Sequence, residues 1–70
     1  MVRQSVVSSN LVSVGYEPNC AVLEIQFNSG GIYQYFGVPP SIYSELLQAP
    51  SKGKFFYAYV RDVFSYARIS

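Results

Sequence analysis

Over residues 20–27, "CAVLEIQF", apolar and polar side chains alternate: Leu23, Ile25 and Phe27 fall in one phase, Glu24 and Gln26 in the other. A period of two marks a strand with one face buried. "LVSVGY" (residues 11–16) alternates and is β-branched, so it reads as an earlier strand, separated from the next by the turn residues "EPN". "NSGG" (residues 28–31) tolerates positive φ and closes a hairpin onto a third strand, "IYQYF". Residues 1–10 hold the turn formers Ser8, Ser9 and Asn10 and read as loosely structured, with residues 1–7 as a flexible lead-in. Pro39 and Pro40 end the third strand, because proline has no N–H to give to a ladder.

After the prolines the period changes. "PSIYSELLQA" spaces Ile42, Leu46 and Ala49 as a helix would, Tyr43 and Leu47 widen the stripe, and Pro50 closes it. Ser51 then reads as the N-cap of a second helix, "SKGKFFYAYVRDVF", with Phe56, Tyr59, Val60 and Val63 on one face. The tail "SYARIS" is a short fourth strand or an extended end. The order β-β-β-α-α predicts one α+β domain over residues 1–70, a three-stranded antiparallel sheet with two helices on one face.

Tyr33 and Tyr35 lie two apart on the third strand and so share a side. A two- or four-residue hairpin loop pairs Phe27 with Ile32 and puts both tyrosines on the face of Glu24 and Gln26. A three-residue loop of Asn28, Ser29 and Gly30 shifts the parity by one and sends them to the core face with Leu23 and Ile25. "NSGG" suits both loops. On the core face the tyrosines are ordinary strand formers. On the open face they are an aromatic platform of the kind that stacks unpaired RNA bases.

Composition narrows the function classes. Seventy residues contain one cysteine and no histidine. An intramolecular disulfide is therefore excluded, a zinc site lacks soft ligands, and the single free thiol, Cys20, fits a reducing, cytoplasmic setting. Cys20 itself reads as a core residue at a strand start. So small a chain buries only about 60% of its unfolded surface. Its seven tyrosines and five phenylalanines supply the compensating area and leave some rings outside. The net charge of +1 argues against bulk electrostatic binding to nucleic acid or an anionic membrane. No apolar run is long enough to span a membrane, and residues 1–10 show no signal-peptide pattern.

Catalytic chemistry finds no foothold in the residue set. The four carboxylates, Glu17, Glu24, Glu45 and Asp62, lie on different elements at no dyad spacing, and no histidine activates Cys20 or a serine. No metal or nucleotide fingerprint is present, so the expectation is a non-enzymatic protein without cofactor. The second helix begins unusually, however. Lys52 and Lys54 stand in its first turn, where cations oppose the helix dipole. With Ser51 and Gly53 they form a candidate phosphate cradle around free backbone N–H groups. Lys54, Tyr57 or Ala58, and Arg61 fall on one helical face, a short basic stripe with the Tyr57 aromatic beside it. The plainer reading is a capped helix with solvated lysines.

The set of motifs resembles the KTSC domain, a short module found at the C-terminus of some lysyl-tRNA synthetases and as free-standing small bacterial proteins. The resemblance runs through "SSNLVSVGY", "LEIQF", "YQY", "GVP", "APSKGKFF" and "VRDVFSYARI", nearly the whole chain. The synthetase attachment implies RNA binding, and carried over it rests on Tyr33, Tyr35, Ser51, Gly53 and Lys54. The chain departs from the family pattern at Tyr57, where a polar residue, often asparagine, is usual, and at the extra Pro50. Two functions follow as expectations. One is an RNA-binding module using Tyr33, Tyr35, Ser51, Lys52, Gly53, Lys54, Tyr57 and Arg61. The other is a protein-interaction or self-associating module that uses surplus aromatic surface and the uncharged strand "LVSVGY" as a free edge.

Overall fold

In the computed structural model, which describes residues 1–70, the alternating segment becomes the middle strand of a five-stranded antiparallel sheet. The elements are β1 (Gln4–Ser5), β2 (Leu11–Glu17), β3 (Val22–Phe27), β4 (Ile32–Phe36), α1 (Pro40–Gln48), α2 (Lys52–Tyr59) and β5 (Tyr66–Arg68). The strands lie in chain order, and both helices fall in the β4–β5 connection. The α+β class expected from the pattern is correct. The three-stranded sheet is corrected to five strands, one added at each edge. β1, at two residues, is too short to show a period, so pairing rather than pattern defines it.

At one edge, Gln4 and Ser5 pair with Val14 and Ser13, and the Val6 N–H donates to the Val12 carbonyl at 3.2 Å. The start of the chain, expected to be loosely structured, thus pairs with β2 through Gln4, Ser5 and Val6. "LVSVGY" is also not a free edge over residues 12–14, because β1 and Val6 already pair with it there. At the other edge the "SYARIS" tail forms β5 against β4.

Strand β2 contains an irregularity that strict alternation hides. Its register shifts between Leu11 and Ser13, leaving Val12 as the extra residue. This bulge lets Leu11 and Val14, three apart, both face the core, where they are almost wholly buried. The core continues through Leu23 and Ile25 of β3, Tyr35 of β4, Val38, Leu46 of α1, and Phe56 and Val60 at α2. Ile42, Tyr43 and Leu47 pack against it from α1, as their spacing predicts. No helix is long and apolar enough to cross a membrane.

Helix α2 is shorter than its pattern predicts. The Arg61 N–H turns back to the Phe56 carbonyl at 2.9 Å, and Asp62 adopts φ +63°. The reversal brings Ser65 beside β4, where its carbonyl accepts from the Phe36 N–H at 2.9 Å. The buried side of α2 is therefore Gly53, Phe56 and the following Val60, while Tyr59 and Val63, expected on that side, are exposed. Cys20, expected in the core, is exposed in the β2–β3 turn, since β3 starts only at Val22.

The sheet face away from the helices carries a closed polar network. Arg3 donates through Nε to Ser13 Oγ at 3.0 Å and through Nη1 to Glu24 Oε2. Gln34 Nε2 donates to Glu24 Oε1 at 2.9 Å, and Ser13 Oγ donates to Gln26 Oε1 at 3.0 Å. Burial pushes the Glu24 carboxyl up, but the hydrogen bonds from Gln34 and Arg3 and the Arg3 charge together hold it below its ordinary 4.5. Gly15 lets the N-terminal segment lie this close: a Cβ there would stand 2.7 Å from the Val2 carbonyl oxygen.

Two outcomes are expected. Gly15→Ala should push the segment carrying Arg3 off the sheet and lower stability by about 1–3 kcal/mol in urea unfolding. An unchanged midpoint would contradict the close approach. Because the Glu24 carboxyl is held low, its contribution is present above pH 4.5 and is lost as pH falls through the lower folded value. Glu24→Gln should therefore flatten the acid limb of the urea midpoint plotted against pH.

Candidate functional site

The site begins with the hairpin turn. The Phe27 N–H donates to the Gly31 carbonyl and the Gly30 N–H to the Phe27 carbonyl, both at 2.9 Å, so the loop is Asn28, Ser29 and Gly30. Gly30 takes φ +101°, a conformation costly for any residue with a Cβ. Ile25 consequently faces Tyr33 and Leu23 faces Tyr35. Both tyrosines belong to the core side, and Glu24 and Gln26 to the other. β5 then sets Tyr66 opposite Tyr35 and Arg68 opposite Tyr33.

The core side is not closed at this end of the sheet. Between β4–β5 and the end of α2 lies a cleft of about 320 Å³. Its floor is Tyr35 and Phe56, both buried, whose rings meet edge to face at 5.4 Å. Phe27 buttresses the floor, 5.2 Å from Phe56 and 5.5 Å from Tyr33. The sheet wall is a triangle of tyrosines: Tyr33 and Tyr35 lie 6.5 Å apart at 22°, and Tyr66 lies 5.7 Å from each. Tyr57 on α2 contributes to the lining across from them, and Ser29, Arg61 and Asp62 add polar groups.

Polar capacity here is unspent. The tyrosine hydroxyls with partners inside the chain are those of Tyr16, on the Val38 carbonyl, and Tyr43, on Gln4. Burial pushes the Tyr35 phenol up to about 12, helped by the neighbouring Tyr33 and Tyr66. It stays protonated at neutral pH and can donate a hydrogen bond. The Arg61 guanidinium sits 4.9 Å from the centre of the Tyr57 ring, and that of Arg68 sits 5.8 Å from the Tyr33 ring. Both are cation–π distances.

Tyr33, Tyr35, Tyr57 and Arg61, singled out in the sequence, meet in this cleft. Ser51, Lys52, Gly53 and Lys54 do not line it. Ser51 caps α2 by accepting from the Lys54 N–H at 3.4 Å. Lys52 Nζ donates to the Ala49 carbonyl at 3.2 Å, at the end of α1. Gly53 faces Asn10, whose Nδ2 lies 2.8 Å from where a Cβ would be, so the space beside that glycine is filled from within. Lys54 is exposed, one turn before Tyr57. Sequence reasoning missed Tyr66, Phe56 and Asp62 as site residues. Tyr66 was detectable, since Tyr66 and Arg68 are in phase in the "SYARIS" tail. Asp62 gave no signal, because a helix was expected to run through it.

Known proteins share this architecture. The family model of the KTSC domain matches residues 7–64. A lysine–tRNA ligase of Nostoc sp. is 44% identical over 55 residues, 79% of this chain but 10% of that ligase. An uncharacterised protein of Stutzerimonas stutzeri is 45% identical over 56 residues, 80% of this chain and 79% of that protein. The crystal structure of a KTSC domain protein from Yersinia pestis superposes with a TM-score of 0.96 at 42% identity, covering 99% of this chain and 97% of that one. This chain thus spans about a tenth of the length of the Nostoc ligase.

In an alkaline ultraviolet titration, one of the seven tyrosines should ionise late, near pH 12, and Tyr35→Phe should remove that phase. Because the folded value is raised, the Tyr35 contribution to stability is complete below pH 10 and is lost as pH climbs through 12. The absence of a late phase would show the cleft floor to be open to water.

Proposed function

The chain belongs to the KTSC domain family, and from that premise we propose that it is a small RNA-binding module whose aromatic cleft receives an unpaired base. The observation that carries the reading is the triangle of Tyr33, Tyr35 and Tyr66, held open to one side beside Arg61 and Arg68. Aromatic faces bind bases by stacking, worth roughly 1–3 kcal/mol per base, and need no rearrangement when the rings are already held by packing. The Phe27–Phe56 pair supplies that packing from below. The likeness to a tenth of a lysine–tRNA ligase supports an RNA setting.

Affinity comes from two sources in this reading. Stacking acts within the cleft, and Arg61, Arg68 and the exposed Lys54 meet phosphates around it. With a net charge of +1, no long-range field adds to these contacts, so binding is weak and sensitive to salt. Ser51, Lys52 and Gly53 hold the joint between the helices and take no part in the contact.

Short single-stranded RNAs titrated at low salt, followed by amide NMR, should shift residues 33–36 and 57–66 most. Tyr66→Ala is the informative variant, because Tyr66 is 61% exposed and its removal spares the core. It should weaken binding by about 1–3 kcal/mol. Arg61→Gln should reduce the salt slope by about one. Binding that is indifferent to Tyr66→Ala would refute stacking in the cleft.

A further inference from the structure

We propose that the cleft reads guanine, with Asp62 as the residue that selects it; this rests on the RNA reading above. Asp62 stands where stability favours another residue. Its φ of +63° suits asparagine as well as aspartate, so the backbone there does not call for a charge. A carboxylate just past the end of α2 also meets the negative end of the helix dipole. No cation offsets it: the ion pair in this chain joins Arg3 to Glu24, and the adjacent Arg61 lies over Tyr57.

Within the cleft, Asp62 is also chemically singular. The tyrosine and Ser29 hydroxyls and the Arg61 guanidinium can all donate hydrogen bonds, while an ionised carboxylate only accepts them. Guanine is the base whose Watson–Crick edge offers two adjacent donors, N1–H and the 2-amino group, to the two oxygens of one carboxylate. Its O6, beside N1, accepts from a donor such as the protonated Tyr35 hydroxyl. Adenine, cytosine and uracil each place an acceptor next to the donor on that edge and meet the carboxylate with repulsion. Unpaired bases are read on this edge in single-stranded RNA. A volume of about 320 Å³ is at the small end for ligand sites and suits one base rather than a run.

The test uses four RNA pentamers, uridine at every position except the centre, which is guanine, adenine, cytosine or uracil. Binding is followed by tyrosine fluorescence and calorimetry. The guanine pentamer should bind about tenfold or more tighter than the others, a bidentate contact being worth that much discrimination. Asp62→Asn keeps a residue suited to positive φ, so the fold should hold. It should abolish the preference, bringing the guanine pentamer to the affinity of the other three. Equal affinity for all four pentamers overturns the guanine inference and leaves the RNA reading standing. A guanine preference that survives Asp62→Asn overturns the role of Asp62. No binding by any pentamer overturns both this inference and the function it rests on.

Discussion

The constraint on which the rest depends is the parity of one hairpin. Asn28, Ser29 and Gly30 form an odd-numbered loop, and the positive φ of Gly30 makes it geometrically accessible. Every side chain of β4 is assigned to a face by that count. With it, Tyr33 and Tyr35 join Leu23 and Ile25, and Gln34 joins Glu24. One residue more or fewer in the loop would bury Gln34 beneath the helices and strand Tyr35 on the polar face.

The two faces thus become different materials. The outer face is satisfied from within, because Arg3 and Gln34 occupy the Glu24 carboxylate and Ser13 links Arg3 to Gln26. A buried carboxylate with both oxygens already hydrogen-bonded has little to offer a ligand, and its role is to hold the N-terminal segment across Gly15. The inner face is satisfied by apolar packing over most of its area. Toward β5 the packing runs out. Helix α2 ends at Tyr59, and the chain turns at Asp62 to reach the sheet edge. The early stop leaves Tyr33 and Tyr66 incompletely covered while Tyr35 packs beneath Phe56, and the same turn supplies Arg61 and Asp62 to the opening.

The helix start that drew attention in the sequence has a different task. Ser51, Lys52 and Gly53 spend their hydrogen-bonding and packing capacity on α1, α2 and Asn10. Lys52 offsets its unfavourable place in the first turn of α2 by meeting a carbonyl at the end of α1. Charge against a helix dipole is thus an ambiguous signal: a neighbouring element can resolve it, as for Lys52, or nothing inside the chain does, as for Asp62.

By itself the sequence determined the α+β class, the three long strands, both helices and most of the core, since these rest on local periods of two and about 3.6 residues that any window displays. It also singled out Tyr33, Tyr35, Tyr57 and Arg61. Only the tertiary structure decided the hairpin parity, the Leu11–Ser13 bulge, the two edge strands and the end of α2. Each of these depends on an energy difference between local conformations that are nearly equal in an isolated chain. That balance is tipped by partners distant in sequence: Arg3 over Glu24, Ser65 beside Phe36, and Tyr66 against Tyr35. The cleft is the sum of those long-range choices, so its residues could be suspected one by one, but their meeting could not be read along the chain.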